Sequence, residues 1–333
     1  MTTDALKEIE LLDLHPSMGD FREEVIAGLS RPQKTLPPKY FYDEHGSRLF
    51  DQITEQPEYY PTLTEFGIMR DNIDEMASLI GPNASVIELG SGMSQKIRIL
   101  LDALETVAAY VPVEISKHHL MDAAQKFSKE YPDLDIRPVC ADFTQPMRLP
   151  KPTRRPDRNV VYFPGSTIGN FYPEDAVALL KNMSSVACKG GALLIGVDLK
   201  KDKAVLEHAY NDDQGITAEF NLNILNRIKS ELDADLDVDG FKHRAIYNEE
   251  LGRIEMHLVS QREQTITIEG LKFALTEGEH ILSECSHKYS VDEFSELAIQ
   301  AGFAPRHVWT DEKELFSVHY MISTAENETS CDE

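Results

Sequence analysis

The chain has 333 residues, 41% of them hydrophobic, and a formal net charge of -24 from 57 acidic against 33 basic side chains. That length and composition suit one large or two medium globular domains with a well-filled core. So acidic a surface repels nucleic-acid backbones and anionic lipid, and no apolar run reaches the length of a membrane span, so neither is expected as a partner.

In chain order, residues 1–14 are expected to be a loose lead. FREEVIAGLS (21–30) has helical spacing, and residues 31–62 then read as turn-rich, with prolines and crowded aromatic side chains. TEFGIMRDNIDEMASLIG (64–81) returns to helical periodicity. A regular alternation follows, with strands expected over SVIELG (85–90), YVPVEIS (110–116), DIRPVCADF (135–143), NVVYFPG (159–165) and GALLIGVDL (191–199) and helices between them. Five short strands joined by helical crossovers predict an open, doubly wound parallel sheet covered on both faces. After Leu199 two helical stretches precede a region that alternates at period two through RIEMHLVS, QTITIEG, LKFALT and HILSECS, which predicts an antiparallel sheet. A helix over 291–303 and a final hairpin complete the fold, so the antiparallel module reads as inserted into the parallel one. The acidic tail, 324–333, is expected to be disordered. Cys140, Cys188, Cys285 and Cys331 lack paired spacing and read as reduced thiols of a cytoplasmic protein.

The strand ends carry the chemistry. Gly90 and Gly92 in VIELGSGMSQK close the first parallel strand, where open α/β sheets bind ligands, and missing side chains let a ligand approach the backbone. A dinucleotide fingerprint would need a third glycine where Gln95 stands. Glu88 precedes this loop. Glu114, ending the second strand, suits a ribose diol, and Asp142 with Phe143 at the third suits an adenine edge and face. Together these favour S-adenosylmethionine over a nicotinamide cofactor. FPGSTIGNFYP (163–173) ends the fourth strand, where the transferable methyl would lie. Gly165 leaves room there for a substrate, and Asn170 can hydrogen-bond an amine or carboxylate; a capped helix start before Pro173 is the alternative. His118 and His119 read as surface residues and Trp309 as core. Cys285 and His287 are spaced like metal ligands without a second pair, and ELDADLDVDGF (231–241) lacks the Glu a calcium loop needs, so no metal is expected.

Taken together, YFYDEHGSRLFDQITEQPEYYPTLTE, VIELGSGMSQKIRILLDAL, FPGSTIGNFYPEDA, AYNDDQGITAEFN and RIEMHL resemble the L-histidine Nα-methyltransferases of ergothioneine biosynthesis, over nearly the whole span from Phe21 to Ser323. The resemblance implies an α/β fold: a doubly wound, Rossmann-like methyltransferase sheet (64–199 and 289–323) with an inserted mixed α+β substrate-binding domain (15–63 and 200–288). It implies an enzyme that acts on a small molecule, converting L-histidine to the trimethylated betaine hercynine; a cytoplasmic monomer is expected. The cofactor contacts it implies fall on Gly90, Lys96, Asp142 and Phe143, with Tyr59 and Ser166 close by and Glu114 where the family usually has Asp. It places the α-amine and carboxylate of histidine against Asn170, Tyr59 and Tyr210, with Tyr59 and Asn170 nearest the reacting nitrogen. The imidazole falls to Glu284 and Ser286, with Tyr42 contributing and Met256 as a pocket wall. Glu284 and Ser286 lie two apart on a predicted strand and so share a face, where a carboxylate and a hydroxyl can receive a ring N–H and satisfy the other ring nitrogen. Methylation of another amino acid such as tryptophan, and cofactor binding without catalysis, are the competing readings.

Overall fold

The computed structural model describes residues 9–17, 19–91 and 95–325. Its strands are β1 (Leu12–Asp13), β2 (Ala84–Leu89), β3 (Val107–Glu114), β4 (Val139–Cys140), β5 (Arg158–Phe163), β6 (Ala192–Asp198), β7 (Phe241–Asn248), β8 (Arg253–Ser260), β9 (Gln264–Ile268), β10 (Leu271–Leu275), β11 (His280–His287), β12 (Phe303–Thr310) and β13 (Phe316–Ser323). Its helices are α1 (Phe21–Leu29), α2 (Glu44–Thr54), α3 (Tyr60–Ile80), α4 (Gln95–Ala103), α5 (Lys117–Glu130), α6 (Pro173–Ala187), α7 (Lys203–Ala209), α8 (Ile216–Glu231) and α9 (Val291–Gln300).

The main sheet runs β1-β4-β3-β2-β5-β6-β13-β12. Neighbours from β1 to β6 are parallel, whereas β13 is antiparallel to both β6 and β12. Strand order reverses at β2, so the carboxyl ends of β2 and its neighbours open a crevice there. Strand period two sorts the core: Ile87, Val111, Val161 and Ile195 fill one face, and Val86, Tyr110, Val160 and Leu194 the other. A third core joins α1, α2, α7 and α8 to β7–β11 through Leu49, Phe220, Ile224, Met256 and Ile281. The parallel sheet with its antiparallel last hairpin and an inserted module is the α/β architecture the sequence predicts.

Five expectations change. The lead is not loose up to residue 14, because β1 pairs with β4 at the sheet edge, Leu12 opposite Val139. The strand expected over 135–143 contracts to β4, since Pro138 has no N–H to give a ladder. Within the stretch expected to be turns lies α2, capped by Asp43, whose carboxylate accepts from Gly46 N–H at 2.7 Å, while Leu49 and Ile53 face the core. The antiparallel region forms two sheets, β11-β8-β7 and a separate β9–β10 hairpin. Cys140 and Cys285 are free thiols, but Cys188 is disulfide-bonded, which corrects the expectation of reduced thiols throughout. Cys331 and residues 326–333 of the tail lie outside the described residues, as does Gly92. Among the described residues no helix is long and apolar enough to cross a membrane.

Candidate active site

At the end of β2 the chain turns through Gly90, with φ +69°, and its N–H donates to Val113 O at 3.0 Å. A Cβ there would sit 3.7 Å from the Phe143 ring, so the glycine keeps open a space that Phe143 borders. Phe143 packs edge-on against Phe163, with centroids 5.6 Å apart. Beside it, Asp142 accepts from Thr144 N–H at 2.9 Å through one oxygen. Glu114 closes β3, where burial pushes its carboxyl up while the N–H groups of Ser116 and Ile115 pull against that. The geometry sets Glu88 apart: it is fully buried in β2 and accepts from the Tyr110 hydroxyl, on the strand face opposite Ile87 and Leu89.

Lys96, on α4, is buried and ion-paired to Glu65 of α3. Glu65, 1% exposed, also receives the Gly165 N–H at 3.0 Å. Gly196 makes room for it, since a Cβ there would lie 2.1 Å from the Glu65 carboxylate. Sequence reasoning missed Glu65, although an acid in an otherwise apolar helical stripe was its visible trace. Gly165 has φ +79° and Ser166 φ +57°, so the chain leaves β5 through two consecutive left-handed residues. Ser166 Oγ then accepts the Asp198 N–H at 2.9 Å, fastening this loop to the end of β6.

The loop continues as a single 3-10 turn, Thr167–Asn170, that docks on β11. His287 Nδ1 lies 2.9 Å from Gly169 O, and a Cβ on Gly169 would approach His287 O to 2.7 Å. Only glycine permits that contact. Asn170 therefore stands where the parallel sheet meets the antiparallel one, and its side chain has no hydrogen-bond partner among the described residues.

On β11 a bulge falls between Leu282 and Glu284. Ser283 occupies it, with Oγ 2.6 Å from Asn221 Oδ1. Beyond the bulge Glu284 faces Met256 of β8 and Ser286 faces Ile254, so Glu284, Ser286 and Met256 share one face. Glu284 makes no hydrogen bond among the described residues. Burial raises its carboxyl to about 7, with the Lys288 charge pulling the other way. An aromatic group surrounds it: Tyr59 lies 6.0 Å from Tyr210 between centroids, and Tyr42 packs edge-on against Phe50 and Phe220. Burial, reinforced by the charges of its neighbours, pushes the Tyr59 phenol well up, so it stays protonated.

Beneath this face lies a polar network that the sequence reading did not single out. Asp198 ends β6, 1% exposed, and takes hydrogen bonds from Tyr60 (2.8 Å), Lys201 (2.6 Å) and Lys288 (2.6 Å). Lys288, 2% exposed, also donates to Tyr210 and Ser286. Its trace was present, because Glu284, Ser286 and Lys288 recur at period two. The spacing of Cys285 and His287 gathers no metal set. The one group of ligand-type atoms among the described residues is instead Glu58, His208 and Asp213, partly exposed and within 4.8 Å of one another. His118 and His119 are exposed, and Trp309 is buried with its N–H donating to Glu75, as expected.

Residues 21–323 match the family described as histidine-specific methyltransferase, SAM-dependent. The chain is 40% identical over 296 residues to the histidine N-alpha-methyltransferase of Mycolicibacterium smegmatis, covering 87% of this chain and 91% of that protein. It is 32% identical to the ergothioneine biosynthesis protein 1 of Neurospora crassa, covering 90% of this chain but 35% of that longer protein. A 4-dimethylallyltryptophan N-methyltransferase of Claviceps purpurea is 28% identical, covering 87% and 91%.

Proposed function

The chain belongs to the family of histidine-specific, S-adenosylmethionine-dependent methyltransferases, and we propose that it transfers three methyl groups in succession to the α-amine of L-histidine, giving hercynine at the first step of ergothioneine biosynthesis. The observation that carries this reading is the face of β11 on which a carboxylate with no partner among the described residues, Glu284, and a hydroxyl, Ser286, stand together opposite Met256, with the Asn170 loop docked on the same strand. That arrangement suits an imidazole at one end and an amino-acid backbone at the other.

The strand ends fit the cofactor. Gly90 holds open a space beside Phe143 for an adenine, Asp142 keeps one carboxylate oxygen clear of the Thr144 bond, and Glu114 offers a carboxylate for a ribose. Lys96 and Ser166 complete this set, and Glu65 holds Lys96 in place. When bound, S-adenosylmethionine supplies a methyl group already activated on a sulfonium, so the protein contributes placement more than acid–base power. Asn170 and Tyr59 are the groups that hold the neutral amine nitrogen with its lone pair toward that methyl. Tyr59 acts as a protonated phenol, since burial raises its pKa and rules out a phenolate near neutral pH. Gly165 leaves the approach clear. With the ring held by Glu284 and Ser286 and with Tyr42 and Tyr210 beside it, the nitrogen can lose its N–H groups one by one without release of the substrate.

Within this reading residues 15–63 and 200–288 form the substrate-binding domain, and 64–199 with 289–323 the cofactor-binding one. One chain supplies every named residue, which supports a monomer, testable by light scattering. A cytoplasmic location belongs to the same reading; the free thiols Cys140 and Cys285 support it and the disulfide at Cys188 counts against it. Mass spectrometry of the protein incubated with S-adenosylmethionine and each of the twenty amino acids tests the reaction. A three-methyl increment on histidine alone is expected; methylation of tryptophan instead would overturn the substrate assignment, and no methylation would leave cofactor binding as the function.

A further inference from the structure

A serine oxygen accepts two hydrogen bonds and donates one. At Ser286 both acceptor positions are filled: Lys288 Nζ donates at 2.9 Å and the Tyr210 hydroxyl at 3.0 Å. Lys288 in turn has three N–H groups and three acceptors, Asp198 at 2.6 Å, Ser286, and Tyr210 at 3.0 Å. Tyr210 receives from Lys288 and donates onward to Ser286; turned round, that bond would leave the Tyr210 proton without an acceptor among the described residues. What remains is the proton of Ser286. It has no acceptor among the described residues, although Ser286 is only 4% exposed. Two positions away, Glu284 is an acceptor that receives no donor among the described residues.

We infer that Lys288 locks Ser286 as a hydrogen-bond donor, so that the face it shares with Glu284 takes a ring with one N–H and one bare nitrogen, the neutral imidazole, and refuses the imidazolium. This rests on L-histidine being the substrate. Residues two apart on a strand are separated by roughly 6.6 Å, a span that a five-membered ring fills with one hydrogen bond on each side. An imidazolium would aim its second N–H at an oxygen without a free lone pair, backed by an ammonium. Lys288 is thus a positioning residue that acts through Ser286. The charged and titratable groups around the pair are Asp198 and Lys201 at the end of β6, Tyr42, Tyr59 and Tyr60 before and in α3, Tyr210 after α7, Tyr247 on β7, Arg253 on β8, and Glu284, Cys285 and His287 on β11.

The test is nitrogen NMR of ring-labelled L-histidine bound to the protein saturated with S-adenosylhomocysteine, at pH 5.5 and 8. In the parent, one protonated and one bare ring nitrogen are expected at both values, although free histidine at pH 5.5 is largely imidazolium. In Lys288→Met, where Asp198 keeps Lys201 and Tyr60, both nitrogens are expected to be protonated at pH 5.5. The ratio of histidine affinities between the two pH values should then move toward unity by roughly ten-fold. Two protonated nitrogens in the parent at pH 5.5 would overturn the inference even if the variant failed to fold. So would a folded Lys288→Met that binds S-adenosylhomocysteine and leaves the ring signals unchanged. Failure of the parent to bind histidine at pH 8 would instead remove the substrate reading on which the inference stands.

Discussion

The end of β6 and the outer half of β11 each bury a carboxylate within reach of Lys288, and the two come out opposite. Burial pushes both up. At Asp198 the charges of Lys288 and Lys201 outweigh it and hold the carboxyl below its ordinary range. At Glu284 the Lys288 charge alone opposes burial, and the carboxyl rises to about 7. The difference lies in the donors: Asp198 receives Tyr60, Lys201 and Lys288, and Glu284 receives none among the described residues. A finished fold pairs the acid it needs for structure; the one left without a donor among the described residues is the one proposed to meet a ligand.

The contrast breaks most visibly at Asp198. Asp198→Asn leaves Lys201 and Lys288 buried without a counter-charge, and denaturant unfolding should show a loss of about 3–5 kcal/mol. The reverse is expected at Glu284. Its folded-state value of about 7 lies above the ordinary 4.5, so the unfolded chain releases this proton first as pH rises. Stability is therefore lost between those two values and not regained above them. Glu284→Gln removes that penalty, and should be more stable than the parent at pH 8 by up to about 3 kcal/mol, with the gain vanishing toward pH 4.5. A pH-independent difference would mean that Glu284 is not a strained acid.

Function should move the other way at the same residue. Glu284→Ala is expected to weaken histidine binding by roughly 10- to 100-fold in calorimetry, because the ring N–H loses a charged acceptor, while affinity for S-adenosylhomocysteine holds. Unchanged histidine affinity would sink the anchor assignment. The smallest effect sharpens the cofactor side. Gly165→Ala puts a Cβ on a residue with φ +79°, and should cost about 1 kcal/mol in thermal unfolding, since the neighbouring space is otherwise open to 3.8 Å.

Much of this was legible because it is local. Parallel strands buried on both faces must be apolar runs, so β2, β3, β5 and β6 declared themselves. Glycines that need a positive φ, such as Gly90 and Gly165, mark strand ends without knowledge of what lies nearby. The two-residue spacing of Glu284 and Ser286 put them on one face before any partner strand was known. Less was visible where a partner decides. The strand β1 is two residues long and exists only because β4 offers an edge. The helix α2 was hidden by the prolines and aromatics around it, although its Asp43 cap was readable.

By itself, then, the sequence determined the alternation of strands and crossovers, the strand-end loops and the residue types proposed to meet a cofactor and an amino acid. Those follow from periodicity and backbone conformation, which act between near neighbours. Only the tertiary structure decided which carboxylate is paired and which is open. Glu65 reaches Lys96 across 31 residues and Gly165 across 100, and Tyr60 reaches Asp198 across 138. The strength of a charge in a protein interior depends on the donors that converge on it, and those come from segments that only folding brings together.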